Sequence, residues 1–262
     1  MPGQQGGRTG FLKRSADVDP RWYAVEAAGL RWLRDAGGTA VVEVLEVGED
    51  FLHLEQLVAA RPTRSAASAF GESLHRTHRA GAEGFGAPPP GVSGTGFIGR
   101  QPMSLTPHRH WGTFYAEQRL LPYARAARDR GNLSAAGATA VDRVVERLVD
   151  GAFDDDQPPA RLHGDLWAGN VMWTGSGVVL IDPAAHGGHA LTDLAMLDLF
   201  GTPELPAVLD AYAGAAGLAR GWRSLLGLHQ QPAAGARRQP RRRVRRRGRP
   251  GRPPVCGLTG PP

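Results

Sequence analysis

Apolar residues recur along this chain with two periods, and the change from one to the other marks its elements. Trp22, Val25, Gly29, Leu30 and Leu33 fall three and four apart, one stripe of a helix, and leave Glu26 beside that stripe. Val141, Val144, Val145, Leu148 and Val149 repeat the spacing and predict a helix packed into the core. Residues 65–78 read as a helix weakened by Gly71, and residues 111–130 as another, interrupted near Pro122. A further helix covers residues 193–200. Short runs rich in β-branched and aromatic residues predict strands instead. Residues 9–15 form one, and residues 40–47 and 51–57 form two more, turned by Gly48-Glu49-Asp50. Residues 171–173 and 178–181 form a second pair around Thr174-Gly175-Ser176-Gly177, while Pro88-Pro89-Pro90 through Gly96 reads as a loop. Strands gather early and helices late. The expected class is α+β with two lobes: a small β-rich lobe over residues 1–57 and a larger, mainly helical lobe over residues 58–230.

The second strand pair carries the chemistry. It is preceded by His163-Gly164-Asp165-Leu166-Trp167-Ala168-Gly169-Asn170 and ends in Ile181-Asp182-Pro183. A hairpin between the two runs would bring Asn170 and Asp182 to one end, close enough to share an ion. Phosphoryl transfer from a magnesium nucleotide needs one carboxylate to accept the proton of the attacking hydroxyl. It also needs an amide oxygen and a second carboxylate to hold the metal against the phosphates. Asp165, Asn170 and Asp182 supply these groups in the kinase order H-x-D-x-x-x-x-N followed by Asp. Taken alone, His163 and Asp165 would be a turn-capping pair; the register with Asn170, the hairpin and Asp182 favours the catalytic reading. Two oxygen ligands suit Mg²⁺, which keeps waters and phosphate oxygens for its other positions. Asp193 is placed either to tie down the catalytic loop or simply to sit in the first turn of its helix. His186 and His189 lie three apart behind Asp182, and a zinc site there is rejected, because loop histidines are far more often solvated or hydrogen-bonded.

Trp167 inside the H-G-D-L-W-x-G-N string, with Ile-Asp-Pro-Ala at 181–184, resembles the fructosamine kinase (ketosamine-3-kinase) family, relatives of aminoglycoside and choline kinases within the protein-kinase-like fold. Phe11-Leu12-Lys13, Glu26-Ala27-Ala28-Gly29-Leu30, Leu52-His53-Leu54-Glu55, Ile98-Gly99, Trp111, Phe114-Tyr115, Arg119-Leu120, Gly188-His189, Asp193-Leu194-Ala195-Met196 and Phe200-Gly201 follow in the family's order. The resemblance spans roughly residues 9 to 230. It implies transfer of the ATP γ-phosphate to the 3-hydroxyl of a ketosamine, the sugar adduct of a glycated amine, followed by loss of the unstable phosphate and return of the amine. It further implies that Asp165 is the base and that Asn170 and Asp182 hold Mg²⁺. Lys13, paired with Glu26, would reach the α- and β-phosphates, the backbone of Glu55, Gln56 and Leu57 would bond adenine, and Trp167 would lie against the substrate. Two positions depart from the family: Leu191 stands in place of an acid and His186 in place of an aromatic, both expected near the metal and substrate side.

Charge and composition change the picture mainly at the ends. Only twelve residues precede Lys13, where a kinase has two strands and a Gly-rich loop, so the nucleotide lid is expected to be incomplete. From Gln231 to Pro262 there are ten arginines and no acid, leaving 21 basic against 25 acidic residues in the rest. The isoelectric point near 10.3 therefore belongs to the tail. Without aromatics to stack bases, that tail is a weak nucleic-acid arm, and its composition builds no core. A reading frame shifted by one base accounts better for its arginine, glycine and proline: with suitable synonymous codons, the other frame turns the stretch from Pro232 into Pro-Leu-Leu-Ala-His-Ala. One cysteine, Cys256, excludes an internal disulfide, and no apolar run reaches membrane-spanning length. The expected setting is cytoplasmic and monomeric, with a free or protein-bound glycated amine as substrate and no membrane partner. Competing readings are an aminoglycoside- or choline-type small-molecule kinase and a kinase-shaped protein impaired by its two altered ends.

Overall fold

The computed structural model describes residues 10–15 and 18–230; the expectations for the Gly-rich lid region before Gly10 and for the tail from Gln231 lie outside them. The first part comprises β1 (Gly10–Arg14), α1 (Trp22–Arg34), β2 (Ala40–Val41), β3 (Val44–Val47) and β4 (Phe51–Glu55). An antiparallel sheet of order β1-β4-β3 sets Lys13 opposite Leu52. Across it lies α1, whose predicted stripe buries Leu30 and Leu33, together with Tyr23 and Ala27, which that stripe did not include.

The single strand predicted over residues 40–47 is two. Ala40 and Val41 pair in parallel with Val179 and Leu180, whereas residues 44–47 pair with β4. Between them the Val42 amide donates to the Leu180 carbonyl and the Glu43 carbonyl accepts from the Glu55 amide. The local β propensity is continuous, but partners on two different sheets divide the run.

The second part continues with α2 (Arg64–Arg79), β5 (Gly94–Ile98), β6 (Gln101–Leu105), α3 (Trp111–Phe114), α4 (Leu121–Asp129), α5 (Ala135–Val149), β7 (Ala160–Leu162), β8 (Val171–Thr174), β9 (Gly177–Leu180), β10 (His186–Gly188), α6 (Leu191–Phe200), α7 (Leu205–Ala216) and α8 (Leu226–His229). Thr63 caps α2 by accepting from the Ala66 amide at 3.2 Å. Gly71, which weakens this helix on propensity alone, is where α7 crosses: a Cβ there would stand 2.3 Å from the Val208 carbonyl oxygen. Close backbone approach explains the glycine.

Two expectations are corrected, and the interruption expected near Pro122 takes a definite form. Residues 94–96 belong to the β5–β6 hairpin rather than to a loop; Pro102 is tolerated because the pair is isolated and each strand keeps a free edge. The Trp22 indole N–H holds this hairpin to α1 by donating to the Gly99 carbonyl at 2.8 Å. The helix predicted over residues 111–130 is divided by a π-helical turn at Tyr115–Leu120. Pro122 has no N–H for the Gln118 carbonyl four residues back, and the wider turn accommodates that gap. The stripe on α5 also packs less deeply than expected: Leu148 is buried, Val141, Val144 and Val145 are half-buried, and Val149 is 52% exposed.

One main core joins both parts, running from Leu30, Leu33 and Leu52 through Val171 and Leu180 to Leu194 and Val208. Within it Asp193, 0% exposed, accepts from the amides of His163 (2.8 Å) and Gly164 (2.9 Å). His78 Nε2 lies 3.2 Å from the same carboxylate, and its Nδ1 lies 2.7 Å from the Tyr212 hydroxyl. Three helices thus fix the loop that opens at His163. Of the two placements open for Asp193, the structure selects the tie to this loop.

Two consequences are measurable. Gly71→Ala, despite the better helix former, should destabilise the protein by about 1–3 kcal/mol in chemical denaturation, because backbone rather than a flexible side chain must yield. Burial alone would raise the Asp193 carboxyl, but the bonds from His78 and the Gly164 amide outweigh it and hold it below the usual carboxylate range. Its contribution is therefore complete above the unfolded value of about 4 and is lost as pH falls below it. Asp193→Asn should cost about 1–3 kcal/mol at neutral pH, since one backbone donor then faces an NH₂ group, and should flatten the acid limb of stability against pH.

Candidate active site

The predicted hairpin forms with Val171 opposite Leu180 and Thr174 opposite Gly177. At its open end the Ile181 amide donates to the Asn170 carbonyl at 3.1 Å, so Asn170 and Asp182 meet as the spacing requires. The Asn170 amide nitrogen donates to the Asp165 carbonyl (2.7 Å), the Asp165 carboxylate (3.2 Å) and the Asp182 carbonyl (3.3 Å). This fixes which way the amide faces, and its oxygen accepts no hydrogen bond from the described residues. Asp182 has φ of +53°, a left-handed conformation costly for a side chain with a Cβ and tolerated best by Asn, Asp and His.

His163 is buried between the two carboxylate-bearing segments. Its Nε2 donates to the Ile181 carbonyl at 3.0 Å, and its Nδ1 accepts from the Asp165 amide at 3.3 Å. Those roles define one neutral tautomer, and burial pushes the ring below its ordinary value despite Asp193 nearby. Gly164 turns with φ of +77°, and a Cβ there would stand 2.2 Å from the Ala184 carbonyl. Between His163 and Asp165 the chain admits glycine alone.

From the other side β1 brings Lys13, whose Nζ lies 2.8 and 2.7 Å from the two oxygens of Glu26 and 3.1 Å from Asp182. Burial would lower the Lys13 ammonium, but the charges of Glu26 and Asp182 outweigh it and raise it. Burial pushes the Glu26 carboxyl up to about 7, Asp182 adding and Lys13 opposing. The Trp22 ring lies 4.8 Å from Lys13 Nζ, a cation–π contact with no sequence signal beyond its place on the helix. Gly29 on α1 faces Pro183 and Ala185, so α1 touches the segment that follows Asp182.

The remaining candidates lie around this centre. The half-buried Trp167 ring lies over Gly169. Glu55 accepts the Glu43 amide at 2.9 Å through its side chain, Gln56 is exposed, and the Leu57 amide finds no acceptor among the described residues. Leu191 is buried in the main core instead of facing the cleft, and His186 is buried with its Nδ1 donating to the Ala184 carbonyl. Sequence reasoning missed His78 and Tyr212, which stand 115 and 19 residues from Asp193 and carry no spacing signal.

The set fits a hard cation held partly by its substrate. Asn170 offers an amide oxygen and Asp182 a carboxylate that is 46% exposed, too few ligands for a closed cage but suited to an ion bridging to phosphates. No helix of the described residues is long and apolar enough to cross a membrane.

Known proteins resemble this chain in sequence and in fold. Residues 3–230 match the family model described as fructosamine kinase. A "Probable ketoamine kinase" of Escherichia coli strain K12 is 30% identical over 194 residues, covering 72% of this chain and 65% of that protein, a little under two thirds of its length. The crystal structure of a "putative fructosamine-3-kinase" from Thermobifida fusca superposes with a TM-score of 0.80 and 44% identity, over 88% of this chain and 80% of that one. An aminoglycoside-3′-phosphotransferase of type VIII superposes with a TM-score of 0.54 over 88% and 86%, at 19% identity, a likeness of fold alone. The architecture is the two-lobed protein-kinase-like fold, and with its loop from His163 to Asn170, its hairpin and its Lys13–Glu26 pair, this chain belongs to the fructosamine kinase family.

Proposed function

We propose that this protein transfers the γ-phosphate of ATP to a ketosamine, at the 3-hydroxyl of the sugar that glycation leaves on an amine. The observation that carries the reading is the meeting of Asp165, Asn170 and Asp182 at one hairpin end, with Lys13 within 3.1 Å of Asp182. The 3-phosphate so formed is unstable and releases the amine, which makes the reaction a deglycation. The small lobe ends near Leu57, where the free amide would donate to the adenine ring.

In this reading Asp165 receives the proton of the attacking hydroxyl. Asn170 orients that carboxylate, since its NH₂ group bonds both the Asp165 carbonyl and side chain. Its oxygen and the Asp182 carboxylate would hold Mg²⁺, which supplies neutralisation of the charge on the β- and γ-phosphates. Lys13, kept charged and steered by Glu26, would meet the α- and β-phosphates. Asp182, now 3.1 Å from Lys13, would be the carboxylate offered to the ion, and Lys13 the cation offered to the phosphates. Trp167 would present a flat apolar face to the sugar or amine half.

Two measurements test the roles. Asp165→Asn should lower kcat by about 10²–10⁴-fold in an ATP-consumption assay with ribose- and fructose-derived lysine adducts. Calorimetry should show nucleotide affinity nearly unchanged, and substantial residual turnover would remove Asp165 from the base position. The second concerns pH. Glu26, raised to about 7, is ionised above that value and protonated below it, so acidification releases Lys13 from its partner. Nucleotide affinity should weaken as pH falls through about 7, beyond what the titration of ATP itself produces. Glu26→Gln should bind weakly throughout and show only the nucleotide's own pH dependence.

A further inference from the structure

A cavity of about 400 Å³ opens between the β5–β6 hairpin and the π-helical turn, walled by Gln101, Met103, Ser104, Gln118, Arg119 and Tyr123. Its volume lies in the range of small-molecule sites. Met103, in its wall, packs in one buried cluster with Ala184, two residues after Asp182, and the Tyr123 hydroxyl feels the Asp165 carboxylate. The cavity therefore adjoins the segment that carries Asp182.

Arg119 is the unusual wall residue. It is 8% exposed, a guanidinium taken almost wholly out of water. No carboxylate of the described residues pairs with it. Its Nη1 donates to the carbonyls of Ser104 (3.2 Å) and Gln118 (3.0 Å), and its plane lies 4.6 Å from the centre of the Phe114 ring. The Gln118 carbonyl is the one left without an i+4 donor by Pro122, so the interrupted helix itself holds the guanidinium in place. Nη2 is buried and has no hydrogen-bond partner among the described residues. Burial lowers the group only to about 10, so it stays charged at neutral pH. The same charge adds to burial in pushing His186 down to about 3. At the outer rim Glu117, 56% exposed, lies 3.8 Å from His108 and is too well solvated to neutralise a guanidinium in the wall.

A buried cation with no counter-ion is costly, and the cost is offset when an anion enters beside it. We propose that this cavity receives a carboxylate on the amine half of the acceptor, which makes free glycated amino acids preferred substrates over glycated lysines within a polypeptide. The inference rests on the ketosamine kinase reading and names its substrate class. A lysine inside a protein presents a neutral amide where the free amino acid carries its carboxylate, so the field of Arg119 separates the two.

The test uses two acceptors bearing the same ribulose group on the ε-nitrogen, one on Nα-acetyl-lysine and one on its methylamide, which differ only in that charge. The full chain should show a KM lower by roughly ten-fold or more for the carboxylate form, with similar kcat, as expected for a hydrogen bond or ion pair to a charged group. Arg119→Gln should lose the preference, and Arg119→Lys should keep part of it. Equal KM values for the two acceptors in the unmodified protein would overturn the inference while leaving the kinase reading intact, and this comparison needs no variant to fold. Should neither adduct be phosphorylated, the activity falls first. Calorimetric titration of the same two adducts then decides: tighter binding of the carboxylate form upholds the subsite, and equal or absent binding removes it.

Discussion

The buried Asp193 carboxylate governs the geometry of the site. Two consecutive backbone amides, at His163 and Gly164, converge on one side chain in the core, where no water can substitute. That constraint aims the chain into the left-handed turn at Gly164, sets His163 between Asp165 and Ile181, and so fixes the distance between the two strands' ends. His78 and Tyr212 extend the anchor into α2 and α7, so these two helices, packed on each other, also position the loop. The loop that carries the half-buried Asp165 carboxylate is held by a deeper, fully buried one.

Around this anchor the site is a set of shared partners. Lys13 stands between Glu26 and Asp182, Asn170 between Asp165 and Asp182, and His163 between Asp165 and the strand that ends at Asp182. Each group satisfies its neighbours in the resting molecule and still has a lone pair, a donor or a charge to give. Such preorganisation reduces reorganisation when substrates arrive. Arg119 is the exception, with charge to give and no carboxylate paired with it among the described residues.

What could be read from the sequence was local. The H-x-D-x-x-x-x-N string, the hairpin register and the placement of Glu26 beside a helical stripe each depend on fewer than about twenty consecutive residues, where spacing dictates geometry. The features that escaped depend on distant partners. Residues 40–47 look like one strand because β propensity says nothing of which sheet receives each end. The β5–β6 hairpin is hidden by glycines and Pro102, which break strands elsewhere and are harmless in an isolated pair. His78 is an ordinary helix residue until Asp193 arrives 115 positions later. The orphaned charge of Arg119 cannot be seen from composition, because it is defined by what the described residues do not bring near.

The parallel pairing of β2 with β9 reaches beyond architecture. The chain leaving α1 is stitched within a few residues to the strand that delivers Asp182, and α1 itself rests on Pro183 and Ala185. The helix is thus tied at both its side and its exit to the segment around Asp182. That mooring holds Glu26 where Lys13 can bridge it to Asp182. The spacing between Glu26 and Asp182 is thus written into the strand pairing itself.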